Sequence, residues 1–480
     1  MSPASSSARD ARPPEGSPGP AHAGGALLRE GARVPVTVGP ASRISLCVAF
    51  PDGTEPQDQT VFERLELALP GRGPVELSTC RYVAEPAREG WAGRLVFLQD
   101  VYDLERLFRD GTVTNLRAFF ANVPMVLEQK LGIRPEFKDF VADAVYDLSV
   151  QKRFFDEQDR ILAQEPPQVA EAAREAILAS EGPRFLAFFD DHLARLEALV
   201  GAWGPEEYER HGFYLRRMAW PYILGSEIMK RTNLKPRGYA GDAEIMRMIY
   251  EHRYEGRYLF NQLMHKHPVE HAGAQSVRAR RRMIPGVLRE VLGRFPRTGP
   301  HGFRILSVAC GPAWELQDLF ATADDFSRFH CALLDQDREA LAMAAEGIRR
   351  IEAARGIGIS AEYVEDSVRT MLRVRDLGAR YGRFHFAYSM GLFDYLTTPV
   401  ARAVLARLWE MILPGGTMLV GNFNVGCRSR TYMDYWCDWS LYYRTEEAFL
   451  ALADGLPGVD ASITWEETRS QMFLRLERAG

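Results

Sequence analysis

Ile305-Leu306-Ser307-Val308-Ala309-Cys310-Gly311-Pro312-Ala313 leads from an apolar run into a turn of small residues, and Trp314-Glu315-Leu316-Gln317-Asp318-Leu319-Phe320 then reads as a helix. Small residues belong in such a turn where a ligand must approach the backbone, because a side chain would fill the space it needs. A tight strand-to-helix connection without a ligand is the other reading, and this stretch alone leaves both open. On either side the pattern continues. FRILSVAC, FHCALLDQD, SAEYVEDS, RFHFAYSMGLFDYL, GGTMLVGNFN and ITWEETRSQMFLRLER alternate with helical stretches between Phe303 and Leu476. The alternation predicts an α/β fold, a mostly parallel sheet with helices on both faces and its ligand at the carboxyl ends of the strands.

The second strand ends Leu333-Leu334-Asp335-Gln336-Asp337, with Asp335 24 positions after Gly311. A carboxylate there can accept both hydroxyls of a ribose. The third strand ends Tyr363-Val364-Glu365-Asp366-Ser367, and the fourth, Phe384 to Leu396, carries Tyr388, Ser389 and Met390. Leu413-Pro414-Gly415-Gly416-Thr417 reads as a turn before the next strand. Taken in this order, these features resemble class I S-adenosylmethionine-dependent methyltransferases. The opening stretch resembles their motif I, with Ala309 and Ala313 replacing two usual glycines and Ser307 standing where an acid is common. The resemblance implies a Rossmann-like methyltransferase domain over residues 301–480 and S-adenosyl-L-methionine as cofactor. It places Ser307, Ala309, Cys310, Gly311 and Gln336 against the donor, Asp335 at its ribose, Asp366 and Ser367 at its adenine, and Tyr388 and Ser389 near its sulfonium. A helix N-cap is the simpler role open to Asp366 and Ser367. The competing nucleotide reading is an NAD-dependent oxidoreductase, which the missing GxGxxG disfavours.

Two other motifs invite different chemistry. Ala387-Tyr388-Ser389-Met390-Gly391 partly imitates a hydrolase nucleophile elbow, but the last histidine, His385, precedes the serine, whereas that fold needs it afterwards. His267-Pro268-Val269-Glu270-His271 formally matches a zinc-binding HxxEH pattern, with His265 nearby. The proline and the following RARRR run make a poor dication site, so no metal is expected.

Asn233-Leu234-Lys235-Pro236-Arg237-Gly238-Tyr239-Ala240-Gly241-Asp242, Ser276-Val277-Arg278-Ala279-Arg280-Arg281 and SVACGPAWE together look like the bacterial methyltransferases of 3-hydroxypalmitic acid methyl ester biosynthesis, over about residues 225–475. That resemblance implies transfer of a methyl group to an acyl carboxylate, such as that of a 3-hydroxy fatty acid, giving a quorum-sensing ester. Gly238 and Gly241 permit a sharp turn, and Asp242 is placed to cap the helix AEIMRMIYEH. The functional alternative is a lid, with Tyr239 closing on the methionine part of the donor and Asp242 meeting its ammonium. Of Arg278, Arg280 and Arg281 one guanidinium, taken as Arg280, would pair with the donor carboxylate; a solvated basic face is the alternative. An ionised carboxylate acceptor needs alignment and dehydration rather than a base. A hydroxyl or amine acceptor would need one, and Tyr239, Tyr388, Asp394, His252 and Tyr395 are the catalytic candidates.

The rest of the chain sets the frame. Its 480 residues carry 59 basic and 64 acidic side chains, a net charge of -5 that gives no electrostatic footprint for nucleic acid. Six scattered cysteines without a CxxC pair suggest reduced thiols in a cytoplasmic protein. No apolar run approaches the ~18 residues of a membrane span. Residues 1–38, rich in Pro, Ala, Ser and Gly, read as a disordered tail. Residues 39–115 form a β-rich module that resembles a degenerate PilZ-like barrel, with Glu76-Leu77-Ser78-Thr79-Cys80-Arg81 in place of its D/NxSxxG motif. Its RxxxR element, Arg29 to Arg33, falls in the tail, so the module is expected to be structural, or regulatory through a protein partner. Residues 116–300 form a helical region that includes the GYAGD lid. If the nucleotide site were empty, the chain would be a regulatory scaffold.

Overall fold

The computed structural model describes residues 23–40, 45–51, 54–69, 74–88, 90–98, 127–128, 130–296, 298–322 and 326–480, with positions 100, 102, 104, 107 and 108 between them. The chain divides into two compact units, with the boundary after Gly132.

In the first unit, β1 (Ala23–Arg29), β2 (Ala32–Pro40), β3 (Ser45–Ala49), β4 (Val61–Phe62), β5 (Arg64–Ala68), β6 (Val75–Leu77), β7 (Cys80–Arg88) and β8 (Trp91–Phe97) form one antiparallel sheet in the order β4-β7-β8-β3-β2-β1-β5-β6. β4 and β6 stand at the ends of that order, so the described pairing does not close the expected barrel. The disordered tail is corrected from Ala23 onward; residues 1–22 lie outside the described residues. Ala23 and Leu27 on β1 and Val36 and Val38 on β2 are buried, and Glu30-Gly31 turns the chain with both φ angles positive (51° and 81°), the geometry a two-residue hairpin requires. A Pro- and Ser-rich average over the first 38 residues concealed this short alternation. Arg33 consequently belongs to the sheet and pairs with Glu66 of β5 at 2.6 Å, opposite Glu76 of β6.

The second unit opens with seven helices, α1 (Pro135–Leu162), α2 (Pro167–Val200), α3 (Pro205–Ile223), α4 (Glu227–Leu234), α5 (Ala243–Glu251), α6 (Leu259–Glu270) and α7 (Ala272–Gly293). A proline opens each of the first three, where its missing N–H costs nothing. Then follow β9 (Phe303–Val308), α8 (Trp314–Thr322), β10 (Phe329–Asp335), α9 (Arg338–Arg355), β11 (Ser360–Glu365), α10 (Val368–Arg373), α11 (Leu377–Tyr381), β12 (Phe384–Ser389), α12 (Thr398–Trp409), β13 (Ile412–Phe423), α13 (Arg430–Trp436), α14 (Glu446–Leu450), β14 (Val459–Trp465) and β15 (Gln471–Arg478). The sheet order is β11-β10-β9-β12-β13-β15-β14. β9 to β13 run parallel, and β15 enters antiparallel between β13 and β14. This is the mixed α/β arrangement the alternation predicts.

Of the stretch expected to be a helical region, the described residues from Ile133 onward belong to the same compact unit as the sheet. Tyr432, Tyr435 and Trp436 of α13 are buried with Phe137, Phe155, Phe185, Phe189 and Phe260 of the helices. Ile284, Leu288 and Val291 of α7 pack beside Phe303, Ile305 and Phe386 of the sheet. LPGG lies inside β13 rather than before it. A Cβ at Gly416 would come within 2.8 Å of the Leu413 carbonyl and 2.9 Å of the His385 carbonyl, so only glycine fits the bulge. Among the described residues no helix is long and apolar enough to cross a membrane.

Candidate functional site

β9 has β10 on one side and β12 on the other, so the connections leave its carboxyl end in opposite directions and a crevice opens there. A cavity of about 360 Å³ occupies it. The turn after β9 forms one wall, and Ala309, Gly311 and Ala313 all adopt left-handed backbone (φ 52°, 54° and 49°). The two alanines thus hold a backbone conformation that glycine adopts without steric cost, at roughly 1 kcal/mol of strain each. Ser307, Ala309, Cys310 and Gly311 all line the cavity.

Asp335, at the end of β10, is held from both sides. Its Oδ2 accepts the Gly311 N–H at 2.9 Å and its Oδ1 the Asp337 N–H at 2.9 Å. Burial pushes its carboxyl up, and these hydrogen bonds oppose the shift. Asp335 and Gln336 both line the cavity, as do Asp366 and Ser367. The last two also have structural work. Asp366 accepts from Arg380 (2.6 Å), the Tyr381 hydroxyl (2.5 Å) and the Ser367 N–H (2.8 Å). Burial raises its carboxyl, but hydrogen bonds from Thr370, Tyr381, Ser367 and Arg380 outweigh that and bring it to about 2. Ser367 caps α10.

Four expected contacts are corrected. Tyr388 and Ser389 do not line the cavity: the Tyr388 hydroxyl donates to Glu315 at 2.7 Å and Ser389 to the Val308 carbonyl at 2.8 Å, both buried within the sheet layer. β12 ends at Ser389, so Met390, Gly391 and Leu392 are the residues that clear its edge and reach the cavity. Asp242 is fully buried, caps α5 by accepting the Ile245 N–H at 3.1 Å, and accepts the Arg231 Nε at 2.9 and 2.8 Å. With its charge already paired away from the cavity wall, it is not positioned to meet an ammonium. His252 is the left-handed cap of α5 (φ 54°), with Nε2 2.8 Å from Glu270, and also lies off the cavity.

Arg280 and Arg281 both line the cavity, Arg278 does not, and the three differ in their partners. Arg278 donates to the Ile249 and Val269 carbonyls, and Arg281 pairs with Asp318 at 2.6 and 2.7 Å. Arg280 is 6% exposed, on the cavity wall, and donates through Nη1 to the Met390 carbonyl (2.9 Å) and Gln471 (3.3 Å). Its Nε has no partner, and among the described residues no carboxylate forms an ion pair with it. A buried cation left this way is prepared for an anionic ligand.

Tyr239 stands on the wall edge-on to Tyr395, with centroids 6.3 Å apart. Burial, then the charges of Asp335, Asp337 and Asp242, push its hydroxyl far up, so it stays protonated. Asp394 is buried on the same wall, accepting the Phe423 N–H at 2.7 Å. Burial pushes its carboxyl up to about 6, although the Phe423 N–H, Arg280 and Arg444 pull it down. Around it stand Tyr395, Phe423, Trp439 and Leu441. Trp439, whose indole donates to the Tyr395 hydroxyl at 2.8 Å, was not singled out in the sequence; the aromatic density of Tyr432 to Tyr443 was the available signal. Gly241 explains the second glycine of GYAGD: a Cβ there would lie 2.6 Å from the Tyr395 hydroxyl and 2.7 Å from Trp439 Cζ2.

The histidines of HPVEH have separate partners. His267 contacts the Tyr432 hydroxyl (2.8 Å) and Asp190 (3.1 Å), and His271 contacts Ser429 (2.6 Å).

No protein-family profile and no curated protein matches the chain. Solved structures that resemble it include a possible exported protein of Bordetella parapertussis (17% identity, 62% of this chain and 97% of the other, TM-score 0.40). Others are magnesium protoporphyrin IX methyltransferase of Synechocystis with bound S-adenosylhomocysteine (10%, 43% and 87%, 0.33) and an O-methyltransferase family protein of Burkholderia thailandensis (14%, 57% and 72%, 0.32). Likeness of this size leaves the reading to the chain's own geometry.

Proposed function

We propose that the chain is an S-adenosylmethionine-dependent methyltransferase. One observation carries the reading: a single cavity at the switch point of the sheet offers a buried, pinned carboxylate, Asp335, and a buried guanidinium, Arg280, without an ion-pair partner among the described residues. A nucleoside joined to an amino acid meets both demands, its ribose hydroxyls at the one and its α-carboxylate at the other.

Calorimetric titration of the full chain with S-adenosylmethionine and S-adenosylhomocysteine tests it. Micromolar binding is expected, weakened about tenfold or more in Asp335→Asn and again in Arg280→Met, the loss of one charge-assisted contact each. A folded wild type that binds neither compound would turn the reading toward a regulatory scaffold.

For the acceptor, the family resemblance supports the carboxylate of a small acid, such as a 3-hydroxy fatty acid. The chemistry asks little of the protein there, since the nucleophilic oxygen is already ionised and the walls need only align it and exclude water. A second reading, a hydroxyl acceptor, is favoured by Asp394, a buried carboxyl at the aromatic end of the cavity that changes charge near pH 6 and could take the proton.

A further inference from the structure

Glu315 lines the cavity from the first turn of α8, just past the β9 turn, and is only 5% exposed. The Tyr388 hydroxyl donates to its Oε1 at 2.7 Å. Among the described residues no other side chain hydrogen-bonds to it and no cation forms an ion pair with it.

Two guanidiniums are near enough to act on its charge, and both are turned to other partners. Arg281 is fixed to Asp318 and lies over the faces of Trp314 and Tyr250, 4.8 and 5.0 Å from their centroids. Arg280 gives its Nη1 to the Met390 carbonyl and Gln471. Burial pushes the Glu315 carboxyl up, and its own backbone N–H, the Tyr388 hydroxyl and the two arginines oppose that shift without cancelling it.

An acid in the first turn of a helix gains from the N–H groups there, which would account for Glu315 on an exposed surface. That gain does not require the group to be buried on a cavity wall, where an unpaired negative charge is costly. The cavity thus presents an anion and a cation, Glu315 and Arg280, that do not pair with each other. A ligand end carrying an ammonium and a carboxylate, as an α-amino acid does, satisfies both at once. The neighbouring carboxylates are committed: Asp335 accepts the Gly311 and Asp337 N–H groups, Asp366 is held by Arg380 and Tyr381, and Asp394 accepts the Phe423 N–H among the aromatic side chains. Asp242 is closed off by Arg231.

We infer that Glu315 receives the ammonium of the donor's amino acid end while Arg280 holds its carboxylate, so that the two together select a donor carrying both charges. The inference rests on reading the cavity as the methyl-donor site, and it gives Glu315 the contact that Asp242 does not make.

The test is calorimetric titration of the full chain with S-adenosylhomocysteine and two analogues of it, one without the amino group and one without the carboxyl group. The wild type is expected to bind the deamino analogue about tenfold or more weakly than the parent, the loss of one charge-assisted contact. Glu315→Gln keeps an acceptor for the Tyr388 hydroxyl and removes the charge. It should weaken the parent and the decarboxy analogue about tenfold and leave the deamino analogue within about twofold. Arg280→Met should do the reverse, weakening the parent and the deamino analogue and sparing the decarboxy one. A Glu315 that served the fold alone would weaken all three compounds alike in Glu315→Gln, and that result overturns the inference. So does a preference for the amino group that Asp394→Asn abolishes and Glu315→Gln does not. Should Glu315→Gln fail to fold, the wild type and Asp394→Asn decide: a preference for the amino group present in both supports Glu315, and its absence from either overturns the inference. A wild type that binds the parent and the deamino analogue equally well keeps the donor reading and loses this inference alone, whereas one that binds none of the three loses both.

Discussion

Asp394 carries a charge that its surroundings resist, and the consequence can be measured in two ways. Burial, opposed by the Phe423 N–H, Arg280 and Arg444, moves its carboxyl from 3.8 to about 6. The unfolded chain releases this proton near 3.8 and the folded chain near 6, so folding takes up a proton between them. The stability linked to the group is complete below 3.8 and is lost as pH rises through about 6, roughly 3 kcal/mol at 1.36 per pH unit. Asp394→Asn keeps an acceptor for the Phe423 N–H and removes that loss, so above pH 6 the variant is expected to unfold at higher denaturant than the wild type. The second readout is the rate. With a hydroxyl acceptor, kcat should climb about tenfold per pH unit below 6 and level above it, and Asp394→Asn should lower it by about 10²-fold or more. With a carboxylate acceptor the variant should stay within a few-fold of the wild type, and that result would remove Asp394 from the chemistry. At this scale the sequence was informative for the placement of residues at a strand end or turn, since Gly311 and Asp335 both reach the cavity. It was not informative for Tyr388 and Ser389, because whether a side chain faces a crevice or the layer behind it depends on where β12 stops, and a period-2 pattern cannot locate that to one residue.

The loop between α4 and α5 shows how much of a short element can be legible while its purpose shifts. Gly238 turns it with positive φ (85°) and Asp242 starts the next helix, both of which the GYAGD string announces, whereas the left-handed Lys235 (φ 45°) lies outside that string. The string does not announce Arg231, which is eleven positions earlier and takes the charge of Asp242. Nor does it announce Arg237, which reaches Asp337 and Glu339 beyond the end of β10, tying the loop to the strand that carries Asp335. Gly241 is the position at which the loop meets the aromatic wall, and it tolerates no side chain. In Gly241→Ala the new methyl meets the Tyr395 hydroxyl and the Trp439 ring, so one of them must move. A loss of about 1 to 3 kcal/mol in thermal unfolding is expected from the overpacking. Acceptor KM should rise about tenfold while S-adenosylmethionine affinity changes little, since Asp335 and Arg280 are untouched. A variant with wild-type KM would show that the aromatic wall does not touch the acceptor.

The chain's two units have different relations to its sequence. The β-rich first unit and the α/β sheet of the second could both be read from residue patterns, yet the division drawn at residue 300 follows a change of pattern and not a change of core. The reason lies in the segment between β13 and β14. It leaves the sheet, and its helix α13 places Tyr432, Tyr435 and Trp436 among the phenylalanines of α1, α2 and α6. Local periodicity cannot show that contact, because the partners are separated by more than 150 residues. From the other direction α7 lays Ile284, Leu288 and Val291 against β9 and β12. Removing the helices therefore strips apolar cover from the sheet layer and from α13 together. A fragment of residues 301–480 is expected to bind hydrophobic dyes, lack a cooperative thermal transition and yield to protease, while residues 133–480 unfold in one sharp step. Trp436→Ala in the full chain gives the same interface at the level of one side chain: the ring is 1% exposed, and its removal should cost the second unit about 3 to 5 kcal/mol. A cooperative, protease-resistant 301–480 fragment would mean that the sheet carries its own stability, and the helices would then be a cover for the site rather than part of the fold that forms it.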